Sequence, residues 1–486
     1  MRTKQDGRFY AGLLLAGFGR LHCGILVMTL LAMLPLSAGV GTVPSVTPHV
    51  DGFRGIWFEL GQKSEHGDKY SGGLGTYTAN HVPMAHYVKE VGRTYFTWGG
   101  TPAGDQRLLQ IHISYFDHRT GQVARPVMVM DKSPVDDPHD NGSLSIDDKG
   151  HLWLFVSGRA ARRPGRIYRS KMPYEITQWV IMGDSEFTYP QPWWFAGQGF
   201  LHTYTRYTPG RELYYRTSLD GEQWSAEQKL AGLEGHYQTS AQVGNRLITA
   251  FNRHPNRNVD QRTDLYYMET ADLGATWTTA EGTLLATPLS EADSPARIRN
   301  YSGNANKDEN ALVYIHDTTA DPAGRPVILY TTAKHHTPGP EGAPRTWMVA
   351  RWTGTAWLFN PVTTSTHNYD TGALFIEDDG TWKIIGPTGT GPQKWGTGGE
   401  IELWTSIDQG ATWAKQRAVT RNSPRNHSYA RRPRDAHPDF YAYWADGDAD
   451  KLSESHLYFT TRAGDKVWRL PYHMTGDFAV PELVKP

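Results

Sequence analysis

Past residue 43 the chain is written in short runs of β-prone residues, not in helical stripes. Segments 152–157, 247–251 and 311–316 are apolar and aromatic, and Gly, Asp, Asn or Pro bound them. No long segment repeats its apolar positions every 3.6 residues, so little helix is expected. One strand recurs as an apolar pair, an aromatic, and a Ser or Thr close behind. It stands at Ile167-Tyr168-Arg169-Ser170, at Leu213-Tyr214-Tyr215-Arg216-Thr217 and at Leu265-Tyr266-Tyr267-Met268-Glu269-Thr270. It returns at Ile328-Leu329-Tyr330-Thr331, Leu403-Trp404-Thr405 and Leu457-Tyr458-Phe459-Thr460, with a weaker copy at Ile113-Ser114-Tyr115. Seven copies, mostly 47 to 74 residues apart, leave room for about four strands each. The expected fold is all-β: one seven-bladed β-propeller of four-stranded antiparallel blades.

Several copies run into a turn and then a Trp. Ser406, Asp408, Gly410 and Trp413 have the spacing of a sialidase-type Asp box, as do Thr270, Asp272, Gly274 and Trp277. Ser218, Asp220, Gly221 and Trp224 form a shortened version. Asp caps backbone N–H groups, Gly takes positive φ, and Trp packs between blades. These turns are structural and carry no chemistry.

A second pattern occupies three successive blades. His139, Tyr189 and Tyr237 each open an innermost strand. Arg159, Arg206 and Arg253 each close its antiparallel neighbour, 16 to 20 residues later. Antiparallel pairing places both ends of such a hairpin at one mouth of the channel. His139, Arg159, Tyr189, Arg206, Tyr237, Arg253 and His254 are therefore expected to converge there. One such residue would more simply cap a strand edge, but three blades offering the same groups point to a site. Arg pairs with carboxylate or sulfate, and Tyr and His move protons. Paired Asp or Glu, as a standard glycosidase uses, are not prominent at these positions. The set suits β-elimination on a uronic acid, which needs a neutralised carboxylate, a base for the C5 proton and an acid for O4.

Composition narrows the partners. The 49 Lys and Arg against 50 Asp and Glu give a net charge of -1, so no global attraction to nucleic acid or anionic lipid is expected. An acidic ligand must be held by local Arg and Lys. The single cysteine, Cys23, lies in the first 42 residues. There Arg2, Lys4, Arg8 and Arg20 precede an apolar run from Ile25 to Leu36, followed by Ser37, Ala38 and Gly39. That order is a targeting segment, and the run is short for a membrane span. Residues 1–42 are read as a signal peptide and 43–486 as the propeller. The protein is expected to be secreted or periplasmic, with no stable membrane partner once the leader is cleaved.

Phe53-Arg54-Gly55-Ile56-Trp57, then Lys69-Tyr70-Ser71-Gly72-Gly73-Leu74-Gly75-Thr76-Tyr77 and His81, closely resemble the BNR-repeat propellers that include ulvan lyases. The similarity runs from about residue 50 to about 470. It implies cleavage between sulfated rhamnose and a uronate in an acidic polysaccharide. Carried over by motif, it implies His139 and Tyr189 as the acid/base pair and Arg206 for the carboxylate. Tyr237 and His254 follow as further site residues, with Arg253, Arg159 and Asn141 as substrate-binding neighbours. Related proteins include a rhamnosidase that works at the opposite mouth through a His matched by His81. A non-catalytic carbohydrate-binding propeller, stacking sugars on Trp193 and Trp194, is the alternative of another class. No cofactor is required for elimination. Some relatives carry a zinc partly held by Cys; for a structural metal here the candidates are Asp260, His316 and Asp317.

Overall fold

Seven antiparallel sheets follow one another along the chain, each begun by a strand at the centre of a ring. The structure is a computed structural model that describes residues 45–304 and 310–484. The leader expected over residues 1–42 lies outside the described residues.

The innermost strands are Ala85–Val88, Gly142–Ile146, Thr188–Phe195, Gln238–Val243, Leu312–Ala320, Ala373–Ile376 and Asn426–Arg431, in blades one to seven. Each pairs outward with the next strand in sequence. Composition follows position in the blade. Gly142–Ile146 is buried throughout because neighbouring blades flank it, and Ser143 and Ser145 occupy one of its faces. At the rim, Ala414–Ala418 reads Ala-Lys-Gln-Arg-Ala and is mostly exposed. Buried aromatics fill the wedges between blades. Trp277 of blade four packs on Tyr215 of blade three, with ring centroids 5.5 Å apart.

Six of the seven recurrent strand copies fall on the third strand of a blade. The copy at Ile328-Leu329-Tyr330-Thr331 lies on the second strand of blade five. The motif reports burial between two blades, and both middle strands satisfy it. At Ser406–Trp413, Gly410 N–H donates to Ser406 Oγ (2.8 Å) and Thr412 N–H to Asp408 Oδ1 (2.9 Å). Gly410 has φ +81°, and a Cβ there would sit 2.7 Å from the Trp382 ring. The turn at Thr270–Trp277 repeats these bonds.

Two features position the site. The C-terminal tail closes the ring: Phe478–Ala479 adds to the outer edge of blade one, and Glu482–Val484 adds to blade seven. A segment preceding the first inner strand, residues 77–83, fills the channel. Arg431 donates to the carbonyls of Thr78 (2.8 Å) and His81. Asn80 Nδ2 donates to Gln238 O (2.8 Å), and Gln191 Nε2 donates to Asn80 O (3.1 Å). Blades three, four and seven therefore hold this plug from three sides. Cavities of about 240 and about 290 Å³ lie at its two ends, here termed the front and back mouths.

Candidate active site

The front cavity is lined by seven tyrosines, His139, and the cations Lys69, Arg159, Arg211 and Arg262; no carboxylate is among its lining residues. Its centre is a hydrogen-bonded network of four side chains, Asp137, His139, Tyr77 and Tyr70. Pro138–Asp140 forms one 3-10 turn just before the inner strand of blade two, and Asp137 caps it by accepting His139 N–H. The turn folds the Asp137 carboxylate onto His139 Nδ1. On the far side of the ring, His139 Nε2 accepts from Tyr77 Oη (2.6 Å) and Tyr70 Oη (3.1 Å).

This fixes the tautomer. Nδ1 carries the proton shared with Asp137, and Nε2 offers its lone pair to the pocket. Burial lowers the His139 pKa, with Asp137 opposing the shift, so the ring is neutral at neutral pH. Burial also disfavours the Asp137 carboxylate, but His139 and Arg159 outweigh it and keep its pKa below the usual range. Burial pushes the hydroxyls of Tyr70 and Tyr77 well above the ordinary tyrosine value, so both stay protonated.

Tyr189 lies across from this network, its ring centroid 6.1 Å from His139 and 5.7 Å from Tyr237. Burial raises the Tyr189 pKa far above normal, and the charges of Arg159 and Arg211 pull the other way. For Tyr237, burial opposes ionisation but Arg211, Arg262 and Arg159 outweigh it, and its pKa falls below the ordinary value. Arg262 Nη2 donates to Tyr369 Oη (3.0 Å), and its guanidinium lies 4.7 Å from the Tyr237 ring and 4.3 Å from that of Tyr314. Arg211 Nε is buried without a hydrogen-bond partner. Among the described residues, neither Arg211 nor Arg262 pairs with a carboxylate, whereas Arg159 lies 3.6 Å from Asp137.

His139, Tyr189, Tyr237 and Arg159 thus meet as the hairpin pattern predicts. Arg206 does not: its guanidinium is held between Glu227 and Glu186 (3.0 Å) outside the cavity lining. Alternation along the strand explains this. Tyr207, one residue on, stands opposite Arg211, while Arg206 stands opposite Glu212 on the other face. Arg253 likewise turns away to Glu234 (2.8 Å). His254 backs the pocket without lining it, its ring 4.7 Å from that of Tyr237. Asn141 is fully buried and donates to the carbonyls of Tyr77 (2.6 Å) and Gly75 (3.2 Å), so it anchors the plug.

The expectation for His81 changes most. It belongs to the plug, not to the back mouth. Its Nδ1 accepts Thr78 N–H (3.0 Å), and its ring is buried 5.6 Å from that of Tyr189. Burial holds its pKa well below normal. Trp193 lines the back cavity, while Trp194 stands against Phe200 within blade three (4.8 Å). The suggested metal ligands Asp260, His316 and Asp317 do not meet. Asp260 pairs with Lys69 at the front, and Asp317 with Arg432 at the back. His316 is engaged by Thr331 Oγ1 (3.0 Å). A zinc set that needs cysteine does not fit this chain, whose only cysteine is Cys23.

The residues that sequence reasoning missed are Arg211, Arg262, Tyr70, Tyr77 and Asp137. Arg211 opens the third strand of blade three, and Arg262 immediately precedes that of blade four. An Arg at the same place in two adjacent blades was the available signal.

A model of the BNR repeat-containing family matches residues 93–365, more than half of the chain. The chain belongs to that family. Among solved structures, this BNR-repeat family member is similar to an ulvan lyase described as a new family of polysaccharide lyase. Identity is 17% and the TM-score 0.65, over 86% of this chain and 96% of that one. The same figures hold for that lyase bound to GlcA(1-4)Rha3S. A second polysaccharide lyase matches at 12% identity and TM-score 0.56, over 89% of this chain and 98% of that one. At these identities the likeness establishes the propeller fold of the BNR-repeat protein. No curated protein matched its sequence.

Proposed function

We propose that this protein is a polysaccharide lyase that cleaves rhamnose–uronate linkages of an acidic, ulvan-like polysaccharide by β-elimination. The observation that carries the reading is the lining of the front cavity: four cations, seven tyrosines and a neutral His, with no carboxylate. A retaining or inverting glycosidase uses two carboxyl groups. Here the nearest ones are committed, Asp137 to His139 and Asp260 to Lys69. The likeness to a lyase bound to GlcA(1-4)Rha3S supports the substrate class.

In this reading Arg211 and Arg262 receive the uronate carboxylate. Neutralising it favours loss of the C5 proton, because negative charge spreads onto the carboxylate in the transition state. The proton passes to Tyr77 Oη as the Tyr77 proton moves to His139 Nε2. Asp137 stabilises the resulting imidazolium, as a carboxylate does behind a catalytic His. The C4–C5 double bond forms, the C4–O4 bond breaks, and Tyr189 gives its proton to O4. Arg159 and Arg211 stabilise the tyrosinate left behind, which then recovers the proton from His139 through solvent. Tyr237 packs edge-on against Tyr189, and His254 packs against Tyr237.

The test is incubation with ulvan and with rhamnose-capped glucuronate glycans. The lyase reading expects ultraviolet absorbance from a 4,5-unsaturated uronate. Free rhamnose without that signal would overturn it in favour of hydrolysis. Binding with neither product would indicate a non-catalytic module.

A further inference from the structure

On the same face as the back mouth, blades one and seven meet through two histidines. His118 follows the third strand of blade one, and His437 lies in the loop between the first two strands of blade seven. Their ring centroids are 3.8 Å apart, and Asp439 Oδ2 lies 3.8 Å from His437 Nδ1. One ligand atom from each residue falls within 4.8 Å of the other two.

We infer that His118, His437 and Asp439 form a divalent transition-metal site that clasps the first blade to the last. Each imidazole has one nitrogen committed and one left over. His118 Nε2 bonds Thr94 Oγ1 (2.8 Å), leaving Nδ1 buried with no hydrogen-bond partner. His437 Nδ1 accepts Asp439 N–H (3.2 Å), leaving Nε2. A hydrogen bond on the other ring nitrogen orients a metal-bound His, as Thr94 would do here.

The backbone holds the two sides in place. Arg434 N–H donates to Ala85 O (2.8 Å), and Tyr87 N–H to Arg434 O (3.0 Å), which ties the loop to blade one. Phe440 anchors its other end in the core, stacked on Phe459 at 4.4 Å. His118 N–H donates to Gly92 O (2.9 Å). Small side-chain rotations bring the three ligand atoms onto one ion at the ~2.0–2.2 Å that zinc takes from His and Asp. Asp439 is exposed, so water completes the coordination. Two imidazoles and one carboxylate select zinc or a neighbouring transition ion over calcium, which takes six to eight oxygens.

The experiment is zinc titration of untagged, chelator-treated protein by calorimetry, with melting followed with and without zinc. One equivalent should bind, and the melting temperature should rise and fall back with EDTA, because a ligand bound only by the native state stabilises it. His437→Ala and the solvent-exposed Asp439→Asn should each weaken binding by about tenfold or more. Cobalt should give the visible bands of a four-coordinate site in the wild type and not in His437→Ala. No saturable binding, or equal affinity in the wild type and both variants, overturns the site. Turnover on ulvan should not change with EDTA, which separates this clasp from the front-mouth chemistry.

Discussion

At the front mouth Arg211 and Arg262 face the cavity with no carboxylate partner among the described residues. At the back mouth the three arginines of blade seven are all engaged. Arg432 takes a bidentate grip on Asp317 (2.9 Å twice), and Arg431 is spent on the carbonyls of the plug. Arg434 lies 3.6 Å from Asp435 and 5.8 Å from the Trp193 ring. The cavities are of similar size, yet among the described residues two guanidinium groups at the front have no carboxylate partner, whereas at the back Arg432 and Arg434 each have one. Pocket volume and arginine content do not distinguish the two ends. The partners of each guanidinium do.

The sharpest way to break this contrast is to remove the chemistry at the front. His139→Ala should lower lyase turnover by about 10²–10⁴-fold, the usual contribution of a general base. A near-normal rate of unsaturated product would remove His139 from the reaction. Arg211→Ala should cost about 10²–10³-fold, as for one lost stabilising donor. Arg211→Lys should restore only part of it, because the planar fork is gone; full rescue would mean that charge alone matters.

Asp137→Asn sharpens the picture through pH. Asp137 opposes the burial that lowers the His139 pKa, so its loss lowers that pKa further. Turnover should fall, and the acid limb of the pH–rate profile should move to lower pH. A shift toward higher pH would contradict the Asp137–His139 pairing. At the back mouth, Arg432→Ala leaves the mostly buried Asp317 without its partner and should destabilise the fold by about 3 kcal/mol. Turnover per folded molecule should change little, as read by denaturant midpoint and active-site titration. The smallest effect is expected for Arg206→Lys. Held by two carboxylates outside the cavity lining, Arg206 should tolerate it within about threefold in rate, an energy well under 1 kcal/mol. A loss of several hundredfold would return Arg206 to the carboxylate.

The strand repeat and the Asp-box turns made the ring legible, because blade packing imposes the same burial seven times. His139, Tyr189 and Tyr237 were legible for the same reason: they recur at one place in successive hairpins. The arginines were not. Arg206 and Arg211 are both close to the turn between two strands, and only the register decides which faces the cavity. A single residue of offset reverses the face, and nothing in the spacing of Tyr189 and Arg206 fixes it. His81 was misplaced because the plug belongs to no blade, so the repeat says nothing of where it goes.

Residues 77–83 also decide how a polymer can travel. A ring with an open bore could be threaded, and an enzyme built on it could keep hold of its strand between cuts. This bore is stoppered, and hydrogen bonds from three sectors of the wall seat the stopper. In the proposed reaction a saccharide chain therefore lies across the rim, and both new ends leave by the side on which the chain arrived. Sliding through the ring from one cut to the next is not a route that this architecture provides.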